Sequence, residues 1–195
     1  MTLTAVLFVG GLSTRMGRDK ALLEISGEPL WLRQLNLLRG LKPAALWISA
    51  REKPPWCPPG IETIPDVPPS RGPLGGLAET LGRVKTSHLL ALAIDLPQMT
   101  IEPLNALWQQ VEPEIGVVPE SPRGSEPLCA IYPREAAPAA RAALDSGELS
   151  LQPFVAKLRR ENLVRTYPLA PAEQTFFLNV NSPDDLESLH RRASF

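Results

Sequence analysis

The run Ala5–Val9 constrains the fold more than any other feature, because its five apolar residues end at two adjacent glycines. A strand that is apolar at every position is typical of the inside of a parallel sheet, where both faces are buried. Ala44–Ser49 and His88–Ile94 have the same character, and helical spacings of apolar residues occur in Pro29–Leu41 and Leu74–Val84. This alternation predicts a three-layer α/β/α fold, with helices on both faces of a mostly parallel central sheet.

The rest of the chain continues the same alternation. Further helices are predicted at Ile101–Val111, Glu135–Asp145, Leu151–Arg160 and from Ser182, and further strands at Ile61–Ile64, Ile115–Val118, Leu128–Tyr132 and Leu163–Tyr167. Prolines crowd residues 54–70, which indicates a long functional loop rather than a domain boundary. A chain of 195 residues with no clear linker is expected to form a single domain over residues 1–195.

Composition excludes several classes of function. The net charge is −1, from 20 basic and 21 acidic side chains, so no global field favours nucleic acid or a membrane surface. The apolar runs fall well short of the roughly 20 residues that cross a bilayer. CxxC is absent, and the two cysteines and two histidines lack the close spacing that is typical of a zinc site. We therefore expect a soluble, cytoplasmic protein that binds neither nucleic acid nor membrane.

The loop after the first predicted strand is the first candidate site. Gly10 and Gly11 let backbone N–H groups approach a phosphate, and Arg15 and Lys20 add two cations to the same loop. The spacing matches neither the GxxxxGKS/T loop nor the GxGxxG fingerprint. By itself the loop is compatible with a glycine turn that carries solvated charges, or with a phosphate site of another type.

Two aspartates are the second candidate feature. Asp95 directly follows the most apolar predicted strand, where a carboxylate either caps a helix or binds a cation. Magnesium needs only one or two protein carboxylates, because water and substrate phosphates complete its coordination shell. Asp66 lies in the proline-rich loop ahead of Gly72–Leu77, and its carboxylate is either solvated or in contact with a ligand at a glycine-rich helix start.

Four segments together resemble the molybdenum cofactor guanylyltransferases and the related MobA-like nucleotidyltransferases. They are GGLSTRMGRDKALLEISGEPL after the first strand, GPLGGL at Gly72–Leu77, IDLP at Ile94–Pro97 and FFLNVNSPDDL at Phe176–Leu186. The segments follow the family's order and span nearly the whole chain. The resemblance implies a Rossmann-like nucleotidyltransferase fold and transfer of GMP from GTP to the terminal phosphate of molybdopterin, with release of pyrophosphate. It also implies Mg²⁺ as the cofactor, and molybdoenzymes or cofactor-insertion proteins as candidate partners.

The resemblance also implies a role for individual residues. Arg15, Lys20 and Asp95 would be catalytic, with the two cations on the triphosphate and Asp95 on magnesium. The pocket for guanosine and phosphates would comprise Phe8, Val9, Gly10, Gly11, Lys20, Ser49, Asp66 and Asp95. Gly75, Asn179 and Asn181 would face the second substrate, the pterin; for the two asparagines the alternative partner is the metal.

Departures from the family pattern leave the nucleotide base open. Many members have Leu-Ala where Phe8 and Val9 precede the glycines, and asparagine where Ser49 ends the second strand. One alternative is therefore a cytidylyltransferase, or another nucleotidyltransferase of the superfamily that acts on a phosphate. A second alternative, of a different class, is a non-catalytic nucleotide- or cofactor-binding partner; the intact Lys20, Asp66 and Asp95 argue against it.

Other residues carry minor expectations. Trp31, Trp47 and Trp108 fall on the core faces of predicted elements, which favours packing over base stacking. Trp56, in the proline-rich loop, is the tryptophan expected to contact a ligand. Arg123 lies in a Pro/Gly/Ser loop that is hypothesised to close over the pterin.

Overall fold

The computed structural model describes residues 1–10, 19–68, 71–180 and 185 of the chain. Three predicted site residues, Gly11, Arg15 and Asn181, lie outside these ranges. The helix predicted from Ser182 also lies outside them, apart from Asp185, which is helical.

The described chain alternates strands and helices as predicted. The ten strands are β1 Leu3–Phe8, β2 Glu24–Ile25, β3 Glu28–Pro29, β4 Ala45–Ala50, β5 Glu62–Pro65, β6 His88–Ala93, β7 Gly116–Ser121, β8 Gly124–Ser125, β9 Cys129–Pro133 and β10 Val164–Pro168. The five α-helices are α1 Leu30–Gly40, α2 Gly72–Arg83, α3 Ile101–Gln109, α4 Ala137–Asp145 and α5 Leu151–Arg160. The strands and helices predicted within the described residues are confirmed, with ends that shift by a few residues at most.

A mostly parallel sheet organises the fold. Its strands lie in the order β10-β7-β9-β6-β1-β4-β5, and the two-residue β8 pairs with β7. Along this path β9 runs antiparallel to both of its neighbours, whereas the other neighbouring pairs are parallel. The central position of β1 explains its composition, because every residue from Leu3 to Phe8 is buried.

Two apolar clusters cover the two faces of the sheet. Leu7 packs on one face with α1 and α3, through residues such as Leu35 and Leu104. Val6, the preceding residue, packs on the opposite face with α2, α4 and α5, through residues such as Leu77. Because successive strand residues point to opposite faces, this division confirms the three-layer arrangement.

A small hairpin was not predicted from the apolar spacing. β2 and β3 pair antiparallel across Ser26 and Gly27, which have φ angles of 54° and 79°. Two successive positive φ angles are typical of a type I′ turn. The Leu30 amide donates to the Leu23 carbonyl at 2.8 Å, so the hairpin leads the chain from Lys20 into α1. Strands of two residues are too short to leave an alternating pattern.

Candidate functional site

The strand order reverses direction around β1. From β1 the chain passes through α1 to β4 on one side, and it later returns through α2 to β6 on the other side. Crevices that bind ligands in open α/β sheets form outside the carboxyl ends of the strands at such a reversal. The backbone of Ile94 donates to Phe8 at 2.9 Å and that of Val9 donates to Ser49 at 3.0 Å, so the three strand ends stay in register there.

Lys20 and Asp95 meet at this edge, although 75 positions separate them in the sequence. The Lys20 Nζ lies 3.5 Å from Asp95 Oδ2, and the two side chains are 18% and 21% exposed. Such partial burial keeps an ion pair accessible to a ligand while limiting its screening by water. The pair therefore offers a phosphate-binding cation beside an oxygen donor for a metal ion.

A local helical turn sets the position of Lys20. Lys20–Leu22 form a 3₁₀ turn capped by Asp19, whose Oδ1 accepts a hydrogen bond from the Ala21 amide at 3.0 Å. At the other end of the turn, the Leu23 amide donates to the Lys20 carbonyl at 3.1 Å. The backbone of Lys20 is thus fixed from both sides.

A second group of predicted residues converges on Gly76, near the start of α2. A Cβ at position 76 would lie 2.9 Å from Ser49 Oγ and 3.5 Å from both Asp66 Oδ1 and Phe8 Cε1. Gly10 approaches the same carboxylate, because its Cβ position would be 3.9 Å from Asp66 Oδ2. Phe8, Gly10, Ser49 and Asp66 were predicted to share a pocket, and the structure brings these four together. Gly76 was not predicted, although it is part of the GPLGGL motif.

Burial raises the pKa of Asp66 above its ordinary value, and the nearby positive charge of Arg51 partly lowers it. The backbone holds this carboxyl in place, since the Asp66 amide donates to the Ala50 carbonyl at 2.9 Å. The ionised carboxylate is therefore less stable in the folded chain than in water. A ligand hydroxyl or cation at this position would relieve that cost.

The residues predicted to face the second substrate fall in two places. The Val180 amide donates to the Asp95 carbonyl at 2.9 Å, which brings the exposed Asn179 next to the end of β6. Gly75 instead lines a cavity of about 70 Å³, together with Asp66 and with Arg141 and Leu144 of α4. Asn179 is thus placed beside Asp95, and Gly75 beside Asp66.

Glu126 is a further candidate site residue, which the sequence did not predict. The Ala93 amide donates to the Leu128 carbonyl at 2.6 Å, and β6 and β9 are antiparallel. Glu126 opens the turn that leads into β9, since the Cys129 amide donates to the Glu126 carbonyl at 3.0 Å, and its carboxyl is close enough to Asp95 to be affected by the charge of that residue. Burial raises the pKa of Glu126; a hydrogen bond from Ser121 and the charge of Arg123 lower it, and the charge of Asp95 raises it.

The tryptophans divide as expected in part. Trp31, Trp47 and Trp108 are half-buried against the two apolar clusters, which confirms their packing role. Trp56 also packs on the core, with its ring stacked on Trp31 at 5.2 Å between centroids. The ligand contact expected of Trp56, and the closure expected of the exposed Arg123, stay predictions.

The mostly parallel sheet reverses its strand order at β1 and has a polar crevice at the strand ends. These features together define an α/β protein of the nucleotide-binding class. Residues 5–162 match the family described as the MobA-like NTP transferase domain, so the chain belongs to this family and the resemblance is confirmed. A relative from Opitutus terrae, described as a probable molybdenum cofactor guanylyltransferase, is 33% identical over 97% of this chain and 96% of its own length.

Solved structures share the fold at lower identity. Molybdopterin-guanine dinucleotide biosynthesis protein A from Archaeoglobus fulgidus superposes with a TM-score of 0.75, at 21% identity, over 98% of each chain. A nucleotidyl transferase from Methanothermobacter thermautotrophicus gives a TM-score of 0.76, at 14% identity, over 98% of this chain and 97% of its own. These likenesses confirm the predicted Rossmann-like fold.

The described residues hold neither a cluster of metal-ligating side chains nor a helix that could span a membrane. Within ranges 1–10, 19–68 and 71–180 and at residue 185, no three or more His, Cys, Asp or Glu side chains are grouped to hold a metal ion. Over the same residues, the helices fall short of the length and apolarity that crossing a membrane requires.

Proposed function

We propose that this protein transfers GMP from GTP to the terminal phosphate of molybdopterin and releases pyrophosphate. The observation that carries the proposal is the Lys20–Asp95 pair at the strand reversal, where a cation and a carboxylate lie 3.5 Å apart. Curated relatives described as probable molybdenum cofactor guanylyltransferases, matched over nearly the full length, support the choice of substrates.

The reaction needs alignment and charge neutralisation rather than a covalent intermediate on the protein. An oxygen of the acceptor phosphate forms a bond to the α-phosphorus of GTP, and the bond from that phosphorus to the bridging oxygen of pyrophosphate breaks. Two polyanions must approach each other, so cations fixed in advance lower the barrier. Lys20 binds the triphosphate in this scheme, and Arg15, outside the described residues, is proposed to assist it.

Asp95 fits a magnesium ligand by the chemistry of its oxygen donors. Its carboxylate is partly exposed at the strand end, with Glu126 as a second carboxylate nearby. Magnesium typically takes one or two carboxylates and completes its shell with water and phosphate oxygens. When bound, the ion would neutralise charge on the reacting phosphates. Asp95 would hold it, and Lys20 would turn from Asp95 toward the triphosphate.

The group around Gly76 is proposed to bind the nucleoside part of GTP. Because Gly76 has no side chain, the backbone of α2 can approach Ser49, Asp66 and Phe8 closely there. The Asp66 carboxylate is an acceptor for ribose or base donors, and binding them would offset its desolvation. Asn179, beside Asp95, and Gly75 are proposed to face the pterin, together with Asn181.

Ser49 leaves room for a second candidate, in which the base is cytosine. Its side chain is only 3% exposed, and its hydroxyl lies against Gly76 rather than in open space. A buried hydroxyl discriminates between bases less than a projecting asparagine amide does, because it offers fewer directed hydrogen bonds. The cytidylyltransferase alternative therefore stays a candidate, with the same phosphate machinery.

A nucleotide panel tests the proposal. The purified chain is titrated calorimetrically with GTP, CTP, ATP and UTP in the presence of magnesium, and nucleotidyl transfer to molybdopterin is followed as pyrophosphate release. Selective binding and turnover of GTP is expected. Selective use of CTP would contradict the guanylyl assignment, and binding without turnover would favour a non-catalytic partner.

The variant Asp95→Ala sharpens the same test. We expect it to abolish turnover and magnesium dependence while the unfolding transition stays close to that of the wild type. Asp145→Ala is the matched control, because this exposed carboxylate on α4 pairs with Arg141 away from the strand end. Retained turnover in Asp95→Ala would remove Asp95 from the mechanism.

A further inference from the structure

A chain of contacts links the proline-rich loop to the candidate catalytic lysine. The indole Nε1 of Trp56 donates to Asp19 Oδ2 at 3.4 Å, and Asp19 Oδ1 accepts from the Ala21 amide at 3.0 Å. Both oxygens of this carboxylate are therefore oriented by the protein. Lys20, the residue between Asp19 and Ala21, lies on Asp95 at 3.5 Å.

The indole is itself held in place from two directions. Its ring stacks on Trp31 with 5.2 Å between centroids and 18° between planes, and Trp31 lies in the first turn of α1. The loop that carries Trp56 has restricted φ angles because prolines flank it on both sides. Within that loop, the Cys57 amide donates to the Pro54 carbonyl at 3.0 Å. The stacking and the prolines together therefore restrict the positions that the indole of Trp56 can take.

The cap needs such support because Asp19 is exposed. Water competes for an exposed carboxylate, so a single bond to the Ala21 amide would orient it only part of the time. The second bond, from Trp56, favours the rotamer that caps the turn. A cap that stays formed keeps the backbone of Lys20 in place and limits the positions that its Nζ can reach.

We infer that Trp56 is a positioning residue, which acts through the Asp19 carboxylate to hold Lys20 ready for the triphosphate. This inference rests on the proposed function, since it assigns the loop a role in that reaction. It differs from the sequence-based expectation, in which Trp56 contacts a ligand directly. The two roles predict different results when Lys20 is absent.

The first experiment is a double-mutant cycle on kcat/KM. Trp56→Phe keeps a ring that can stack on Trp31 but removes the N–H, and we expect kcat/KM to fall about three- to tenfold. Lys20→Ala is expected to lower it about 10²–10³-fold. In the Lys20→Ala background Trp56→Phe should cause no further loss, because its effect passes through Lys20. Trp108→Phe, a half-buried tryptophan on α3 that faces His88, is the control.

Additive losses in the two backgrounds would overturn the inference, since a merely structural role, or a direct ligand contact, would persist without Lys20. An unchanged kcat/KM in Trp56→Phe would also overturn it. A wild-type chain that transfers no nucleotidyl group would overturn the proposed function and this inference together. The two failures are thereby distinguished.

Hydrogen exchange in the nucleotide-free protein tests directly whether the bond from Trp56 to Asp19 supports the cap. The Ala21 amide is the donor that Asp19 caps, so its exchange should speed up about three- to tenfold in Trp56→Phe and stay unchanged in Trp108→Phe. An unchanged rate at Ala21 in Trp56→Phe would show that the indole does not support the cap, and it would overturn the inference even if activity fell.

Discussion

Gly76 and Ser49 are in such close approach that a methyl group on Gly76 would lie 2.9 Å from the Ser49 hydroxyl oxygen. The same methyl group would be 3.5 Å from Asp66 Oδ1. The start of α2 is thereby seated on the ends of β4 and β5. Because Gly76 carries only a hydrogen where other residues carry a side chain, α2 lies close to Ser49 and Asp66 beside the proposed nucleoside pocket.

Gly76→Ala is expected to separate activity from stability. The Ser49 hydroxyl can rotate away from the new methyl group, and alanine favours a helix by about 1 kcal/mol over glycine, so the unfolding free energy should change little. Rotation of Ser49 would disturb the pocket, so we expect KM for GTP to rise about tenfold or more. Steady-state kinetics and urea unfolding measure the two effects.

Gly82→Ala is the matched control on the same helix. Nothing lies within 4 Å of a Cβ at this exposed position, so the gain in helix propensity should appear alone, as up to about 1 kcal/mol of stability. Its kinetics should match those of the wild type. Equal kinetics in Gly76→Ala would contradict the role given to this close approach.

Lys20→Ala should remove most of the activity with little change in stability. A partly exposed ion pair contributes about 0–1 kcal/mol to folding, whereas loss of a cation on the reacting phosphates costs about 10²–10³ in rate. Pyrophosphate release and thermal unfolding are the measurements. Lys157→Ala, which breaks the exposed pair with Glu161 on α5, should change neither strongly. A comparable loss of rate in both variants would indicate a global charge effect.

The sequence was sufficient to place the loop of Lys20 and Asp95 at the ends of neighbouring parallel strands, although it did not predict their ion pair. Fully apolar runs predicted parallel central strands, and the carboxyl ends of parallel strands share one edge of the sheet. Glu126 could not be found in this way, because it precedes β9 and reaches the edge only since β9 is antiparallel. An apolar run predicts a buried strand, but it does not show whether that strand is parallel or antiparallel to its neighbours.

The contacts that loops make could not be predicted from the sequence either. Proline crowding predicted a rigid functional loop around Trp56, yet the partner of its indole depends on how that loop folds back over Trp31 and Asp19. No periodic pattern in the sequence predicts that a loop folds back in this way. Gly76 was also hidden, because two neighbouring glycines in GPLGGL have the same sequence signature and only one of them faces Ser49.

Gly116→Ala is expected to destabilise the sheet rather than the site. A Cβ at position 116 would overlap the Ile131 carbonyl oxygen and lie 2.9 Å from Pro133 Cδ, so β7 and β9 would have to separate. Backbone atoms cannot rotate away as the Ser49 hydroxyl can. We expect a loss of about 2–4 kcal/mol in urea unfolding. A stability equal to that of the wild type would mean that the two strands adjust without cost.

Asp66→Asn tests the cost of the half-buried carboxylate through the pH dependence of stability. Because burial raises the pKa of Asp66 in the folded chain, the unfolded chain ionises first as the pH rises. The wild type therefore loses stability between the ordinary pKa of an aspartate and the raised one, and the loss then stays constant to neutral pH. Below about pH 3 both states are protonated and the carboxyl contributes nothing.

The variant should thus unfold at a higher temperature than the wild type at pH 7, by about 1–2 °C, and at nearly the same temperature at pH 3. It should also lose nucleotide affinity, since the amide removes the negative charge and replaces one of the two carboxylate acceptor oxygens with a donor. Thermal unfolding at pH 3, 5 and 7 and calorimetric titration with GTP provide the two measurements. An Asp66→Asn chain that is less stable than the wild type at pH 7 would show that hydrogen-bond donors in the folded protein offset the desolvation of the Asp66 carboxylate.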